Sequence, residues 1–215
     1  MFVTDDEEML QKATQLWSFG ETRTPAERRD YHAYALGWMY RNNELTAAFG
    51  RAQLTRLDRY QAILRENAQR LTERLEGAPN LILPTEYTGT KSNWYNYTLR
   101  FDMAKLGHEQ DASDFRDKIV EAMKAEGVQT GVWQKFILPA MTVFRAKNGY
   151  GQGCPWSCRR AEPVSYALAQ YPVAQKRSDQ HTGMTVPLRA PNGPKVAEAT
   201  ARGIRKVLEN IEQLQ

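Results

Sequence analysis

Across residues 44–76 the apolar positions of this chain step by three and four. Leu57, Tyr60, Leu64, Ala68, Leu71 and Leu75 form one stripe, and Leu45, Ala48, Phe49 and Ala52 begin it one or two turns earlier. At 3.6 residues per turn these side chains share a face, so the stretch predicts one long amphipathic helix. At 1.5 Å per residue such a helix runs roughly 50 Å. Asn43 is a plausible cap with Glu44 in the first turn, and Gly77 and Pro79 end it. Arg51, Arg56, Arg59, Arg65, Arg70 and Arg74 lie mostly off the stripe, interleaved with Asp58, Glu66 and Glu73. That pattern reads as a solvated helix face. The alternative, a basic face for nucleic acid, predicts binding that falls steeply with salt.

The rest of the chain reads as short, alternating elements. Phe2 and Val3 look like the end of a strand, and Asp5 and Asp6 offer a cap for a helix carrying Met9, Leu10, Ala13, Leu16 and Trp17. Residues 18–36, with Gly20, Thr24, Pro25 and a charged run at 27–30, read as a mobile connection. Residues 81–83 make a short strand closed by Pro84, and residues 94–101 alternate as a half-buried strand rich in aromatics. A helix opening at Asp111 or Ser113 stops at Gly127, and residues 128–133 form another strand. Residues 134–160 look irregular. A helix at 172–180 leads to a last strand at 184–186. Pro194 then opens a closing helix striped by Val196, Thr200, Ile204, Val207, Leu208 and Ile211. Strands alternating with helices in mixed order predict an α/β or α+β layered domain with a small mixed sheet.

Composition narrows the function classes. The 215 residues are 41% hydrophobic, enough for a core. The net charge of +4 is too thin to argue for nucleic acid by itself. No apolar run approaches a membrane span, and residues 1–8 lack the basic and apolar regions of a signal peptide. With only two cysteines a reducing compartment is favoured, so a soluble cytoplasmic protein without a membrane or nucleic-acid partner is expected. The three histidines, 32, 108 and 181, are far apart, and no metal site is expected. Cys154 and Cys158 read as two thiols in a Gly/Pro-rich surface loop. No dinucleotide fingerprint, P-loop or nucleophile elbow occurs.

Residues 37–57, GWMYRNNELTAAFGRAQLTRL, are more telling. They resemble a signature of the DegT/StrS-type aminotransferases, fold-type I enzymes that use pyridoxal phosphate (PLP). These enzymes aminate keto-sugars and cyclitols. The resemblance continues through Arg65-Glu66-Asn67, Trp94-Tyr95-Asn96-Tyr97, residues 127–132 and Tyr171-Pro172-Val173-Ala174, and finishes at residues 204–208. It implies that residues 1–36 are the end of the large PLP-binding domain with its connection. Residues 37–215 are then the long linking helix and the C-terminal small domain.

The family's lysine that forms the Schiff base with PLP lies shortly before the stretch resembling residues 1–8. None of the ten lysines here occupies the matching context. The resemblance thus implies the C-terminal portion of such an enzyme, inactive alone, with a second subunit of a homodimer or a missing N-terminal part as partner. It implies amino transfer from glutamate or glutamine to a keto-sugar nucleotide or keto-cyclitol, by a ping-pong route through pyridoxamine phosphate. Arg41 and Asn42 are the expected cofactor-phosphate contacts, Arg41 through its planar guanidinium. Tyr95 and Trp133 are the expected substrate neighbours. Met39 replaces an asparagine common in the family, and Trp133-Gln134-Lys135 replaces His-Tyr-Pro. The alternative is a non-catalytic regulatory or scaffolding protein of the same fold.

Overall fold

The computed structural model describes residues 2–22, 31–151, 153–158 and 162–214. The charged run at 27–30, together with Thr24 and Pro25, lies outside the described residues. The chain divides into two compact units, Met1–Leu57 and Asp58–Gln215.

In the first unit, α1 (Glu7–Trp17) is capped by Asp6, whose side chain accepts from the Met9 N–H at 3.0 Å. Glu7 and Glu8 complement the helix dipole in its first turn. Phe2 and Val3 are not a strand: both are exposed and irregular, with no ladder partner among the described residues. Two residues without a neighbouring strand have nowhere to place their backbone groups except water. After α1 the chain doubles back. Phe19 N–H donates to the Trp38 carbonyl and Trp38 N–H to that of Leu16, at 2.9 and 2.8 Å. This close approach needs Gly37, because a Cβ there would overlap the Gly20 and Gln15 backbone.

The long helix α2 (Glu44–Leu75) forms as the periodicity predicts. Asn43 caps it: its side chain accepts from Thr46 N–H at 2.9 Å and its carbonyl from Ala47 N–H at 3.0 Å. The stripe is buried only from Leu64 onward, while Leu45, Phe49 and Leu57 are exposed.

The second unit is α+β. Strands β1 (Leu81–Ile82), β2 (Tyr97–Phe101) and β3 (His181–Met184) pair in that order, and both pairings are antiparallel where the sequence suggested a mixed sheet. Around them lie α3 (Met103–Leu106), α4 (Ala112–Ala125), α5 (Thr142–Arg145), α6 (Pro172–Gln180) and α7 (Pro194–Glu209). The core joins Leu71 and Leu75 of α2, Tyr97, Leu99 and Phe101 of β2, Phe115 and Ile119 of α4, and Ile204 and Leu208 of α7. Each such fully buried side chain contributes about 2 kcal/mol of transfer free energy. Asn67 of α2 is also buried and donates to the carbonyls of Leu188 and Asn192 at 3.0 and 2.9 Å, fixing the turn before α7.

Three predicted strands differ in extent. The aromatic strand starts at Tyr97, because Trp94 takes a left-handed φ of 47° and turns the chain first. The strand predicted at 128–133 reduces to one bridge, Gly131 with Gly183. There the Thr130 hydroxyl bonds Thr182 and the Gly183 carbonyl, replacing ladder contacts before the chain leaves the sheet. The last strand sits at His181–Met184 and not at 184–186, since Thr185 leaves the extended region and Pro187 has no N–H to offer. No helix among the described residues is long and apolar enough to cross a membrane.

Candidate functional site

Two groups of side chains stand out, one in each unit. In the first unit, the return of residues 37–40 along the end of α1 puts Arg41 beside Phe19. The guanidinium carbon lies 5.1 Å from the ring centroid. The Arg41 Nε is buried and has no hydrogen-bond partner among the described residues. A buried donor on a cation is costly to leave unmatched, so this atom is poised for an acceptor. Asn42 is exposed, and its side-chain oxygen accepts from Asn43 N–H at 3.1 Å, leaving its amide nitrogen to donate. Two residues on, α2 begins, and Asn43 satisfies only Thr46 and Ala47 of its first N–H groups. The sequence-predicted pair Arg41 and Asn42 therefore sits at an electropositive helix start.

In the second unit, the turn at Trp94 throws Tyr95 outward, although Tyr95 and Tyr97 share parity. Tyr97 is fully buried and Tyr95 is 54% exposed. Ser92 Oγ and Asn93 Oδ1 hold the turn by accepting from the Trp94 and Tyr95 N–H groups. Thr185 Oγ1 then donates to the Tyr95 carbonyl at 2.8 Å. Tyr95 and Trp133 are brought together, with ring centroids 6.0 Å apart and nearly perpendicular. They line a cavity of about 500 Å³ with Thr130, Gly131 and Arg189. The Arg189 guanidinium carbon lies 5.3 Å from the Tyr95 centroid. No pattern in the sequence announced Arg189; it reaches Tyr95 from the turn that follows β3.

Trp133 also walls a second cavity of about 390 Å³ over the outer face of the sheet. Asn96 and Thr98 line it from β2 and the residue before it, as do Arg177 and His181. A Cβ at Gly183 would displace the Asn96 amide, so the glycine makes room for that side chain here. These polar residues were visible in the sequence only as the outward half of an alternating strand.

None of the lysines is set for a buried covalent role. All ten are exposed, Lys195 in the first turn of α7 among them. Lys12 pairs with Glu8 at 2.6 Å. Cys154 and Cys158 are free, and the Cys158 thiol is pushed up, chiefly by its hydrogen bond to Cys154, which disfavours the reactive thiolate.

A long helix feeding a three-stranded antiparallel sheet packed with α4, α6 and α7 is the architecture of about half of a fold-type I aminotransferase. The match to DesV of S. venezuelae has a TM-score of 0.70 at 19% identity, over 96% of this chain and 46% of that one. The chain belongs to the DegT/DnrJ/EryC1/StrS aminotransferase family, whose sequence profile it matches over residues 1–182. Members of this family are in general PLP-dependent. A pleiotropic regulatory protein of Geobacillus stearothermophilus is 25% identical over 183 residues, 84% of this chain and 44% of that protein. The spore coat polysaccharide biosynthesis protein SpsC of Bacillus subtilis is 30% identical over 132 residues, 59% of this chain and 32% of its own. The chain spans less than half the length of each of these relatives.

Proposed function

We propose that this chain is the C-terminal portion of a PLP-dependent aminotransferase acting on a keto-sugar nucleotide or keto-cyclitol in the cytoplasm. Residues 1–36 close the large PLP-binding domain, and residues 37–215 form the linking helix and small domain. The observation that carries this reading is the buried, unmatched Nε of Arg41 at the start of α2. A phosphate dianion fits such a place. The guanidinium donates to its oxygens, the Asn42 amide adds a donor, and the first N–H groups of α2 add theirs. Pyridoxal phosphate, when bound, supplies the electron sink that amino transfer requires. Tyr95 and Trp133 hold the keto substrate's ring, and Arg189 adds positive charge beside it.

The lysine that holds the cofactor comes from polypeptide outside these 215 residues, on the N-terminal part of the enzyme, and the assembled enzyme pairs as a homodimer. The solvent exposure of the lysines here supports this, since such an amine needs desolvation or a cationic neighbour. Glutamate or glutamine is the amino donor.

A second reading, a regulatory or scaffolding protein of the same fold, is favoured by the name of the Geobacillus relative. One assay separates the two. The purified chain is given PLP, glutamate and a keto-sugar nucleotide, alone and co-expressed with a polypeptide carrying the family's lysine. We expect no turnover and no borohydride-trapped lysine adduct alone, and turnover in the co-expressed assembly. Turnover by the chain alone refutes the external lysine. An assembly that forms and stays inactive favours the regulatory reading.

A further inference from the structure

The cavity over the outer face of the sheet contains a histidine with a fixed tautomer. His181 is nine-tenths buried at the junction of α6 and β3. Its Nδ1 lies 2.9 Å from the Ser178 carbonyl and 3.2 Å from that of Arg177. Carbonyls only accept, so Nδ1 carries the proton, and in the neutral ring Nε2 is a bare acceptor. The Ser178 carbonyl also accepts from the buried Arg116 guanidinium at 2.7 Å, which fixes it as the anchor. His181 Nε2 has no partner among the described residues.

The neighbours of His181 are equally unspent. Asn96 and Thr98 make no side-chain hydrogen bond among the described residues, and Arg177 makes no ion pair there. Thr98 faces Gly183, and Arg100 faces His181, across the β2–β3 ladder. Gly183 leaves room for the Asn96 amide above it. Among the described residues no carboxylate lines the cavity, whereas Arg177 does, and Trp133 and Phe136 give it flat apolar walls. An aromatic wall facing a cluster of free donors and acceptors suits a hydroxylated ring, and a cationic rim without carboxylates suits an anionic substituent on it.

We propose that His181 is a specificity-determining residue of this cavity, with Nε2 accepting from a ring or chain hydroxyl of a ligand whose anionic group meets Arg177. This rests on the reading of Trp133 as a substrate wall. The anion's source is left to the test, since phosphate ester and carboxylate share the required chemistry.

The full chain, labelled with ¹⁵N-histidine and free of cofactor, is titrated with glucose 6-phosphate, gluconate, glucose and inorganic phosphate. The His181 Nε2 resonance is followed, assigned by its loss in His181→Asn. That variant keeps a donor near the Nδ1 position for Ser178 and deletes the acceptor. Glucose 6-phosphate or gluconate should shift Nε2 saturably, and whichever binds more tightly identifies the anion. His181→Asn should weaken that binding roughly fivefold to tenfold at an unchanged melting temperature. Arg177→Gln should weaken the charged probes and not glucose. An unshifted Nε2 with every hydroxylated probe overturns the proposal, as does inorganic phosphate reproducing the full shift or unchanged affinity in His181→Asn. If Trp133→Ala binds normally while His181→Asn does not, the substrate-wall reading fails and the role of His181 stands. Because no cofactor enters the titration, its result is also separate from that of the turnover assay.

Discussion

The phenol of Tyr97 and the hydroxyl of Thr72 lie 2.6 Å apart, joining the start of β2 to α2. Thr72 already donates to the Ala68 carbonyl at 2.9 Å, so its oxygen accepts and Tyr97 donates. Burial pushes the Tyr97 phenol up from 10.0 to about 12, partly opposed by the Thr72 hydrogen bond. In the unfolded chain the phenol ionises near its ordinary value, while the folded chain keeps it neutral. The stabilisation is therefore fully present below pH 10 and is lost as pH rises through about 12. Its size is on the order of 2 kcal/mol. Chemical denaturation between these pH values should show this loss, and Tyr97→Phe should flatten it. At neutral pH the same variant should cost about 1 kcal/mol, because Thr72 keeps its bond to Ala68.

Asn67 carries a different load. Its single amide nitrogen serves two carbonyls from the turn before α7, and that turn seats Leu188 in the core. Asn67→Ala should cost about 2–4 kcal/mol, because both carbonyls lose their donor in a buried place. Asn67→Leu, which restores volume and not the donor, should recover little of it. Urea denaturation of the three proteins measures this.

Arg41 should show the opposite balance. It makes no matched hydrogen bond at Nε, and its visible stabilising contact is the Phe19 ring. Arg41→Ala should change stability by no more than about 0.5–1 kcal/mol. It should nevertheless weaken PLP binding to the assembled enzyme by about tenfold or more, and Arg41→Lys should fail to restore it, since a point charge cannot fork onto two oxygens. PLP absorbance titration set beside thermal melts tests this split.

The sequence displayed its helices more openly than its sheet. The boundaries of α2, α4 and α7 follow from Asn43, Asp111, Gly127 and Pro194, because caps and breakers act locally. Strand extents depended on features with no local signature. Trp94 adopts a left-handed turn that no propensity assigns to tryptophan, and this alone separates exposed Tyr95 from buried Tyr97. Gly131 pairs with Gly183 across 51 intervening residues, and neither glycine shows in the sequence what it meets. The residues proposed for the cofactor phosphate, Arg41 and Asn42, stand out in the sequence because one contiguous segment carries them. His181 and Arg189 escaped because their placement comes from the fold: one is locked by a helix-end carbonyl, the other laid over Tyr95.

The exposed part of the α2 stripe leads to the last prediction. Leu45 and Phe49, one turn apart on the stripe, are 85% and 66% exposed. Apolar side chains repeated along one helix in water favour association, because each adds area that water is better off without. The isolated chain should self-associate in a concentration-dependent way. Leu45→Glu and Phe49→Glu together should shift it toward monomer in sedimentation velocity. Their stability cost should stay within about 0.5 kcal/mol, since neither side chain belongs to the core. A wild-type chain that sediments as a monomer at every concentration would refute the idea. So would a double variant that melts far below it, since the stripe would then already be packed within the monomer.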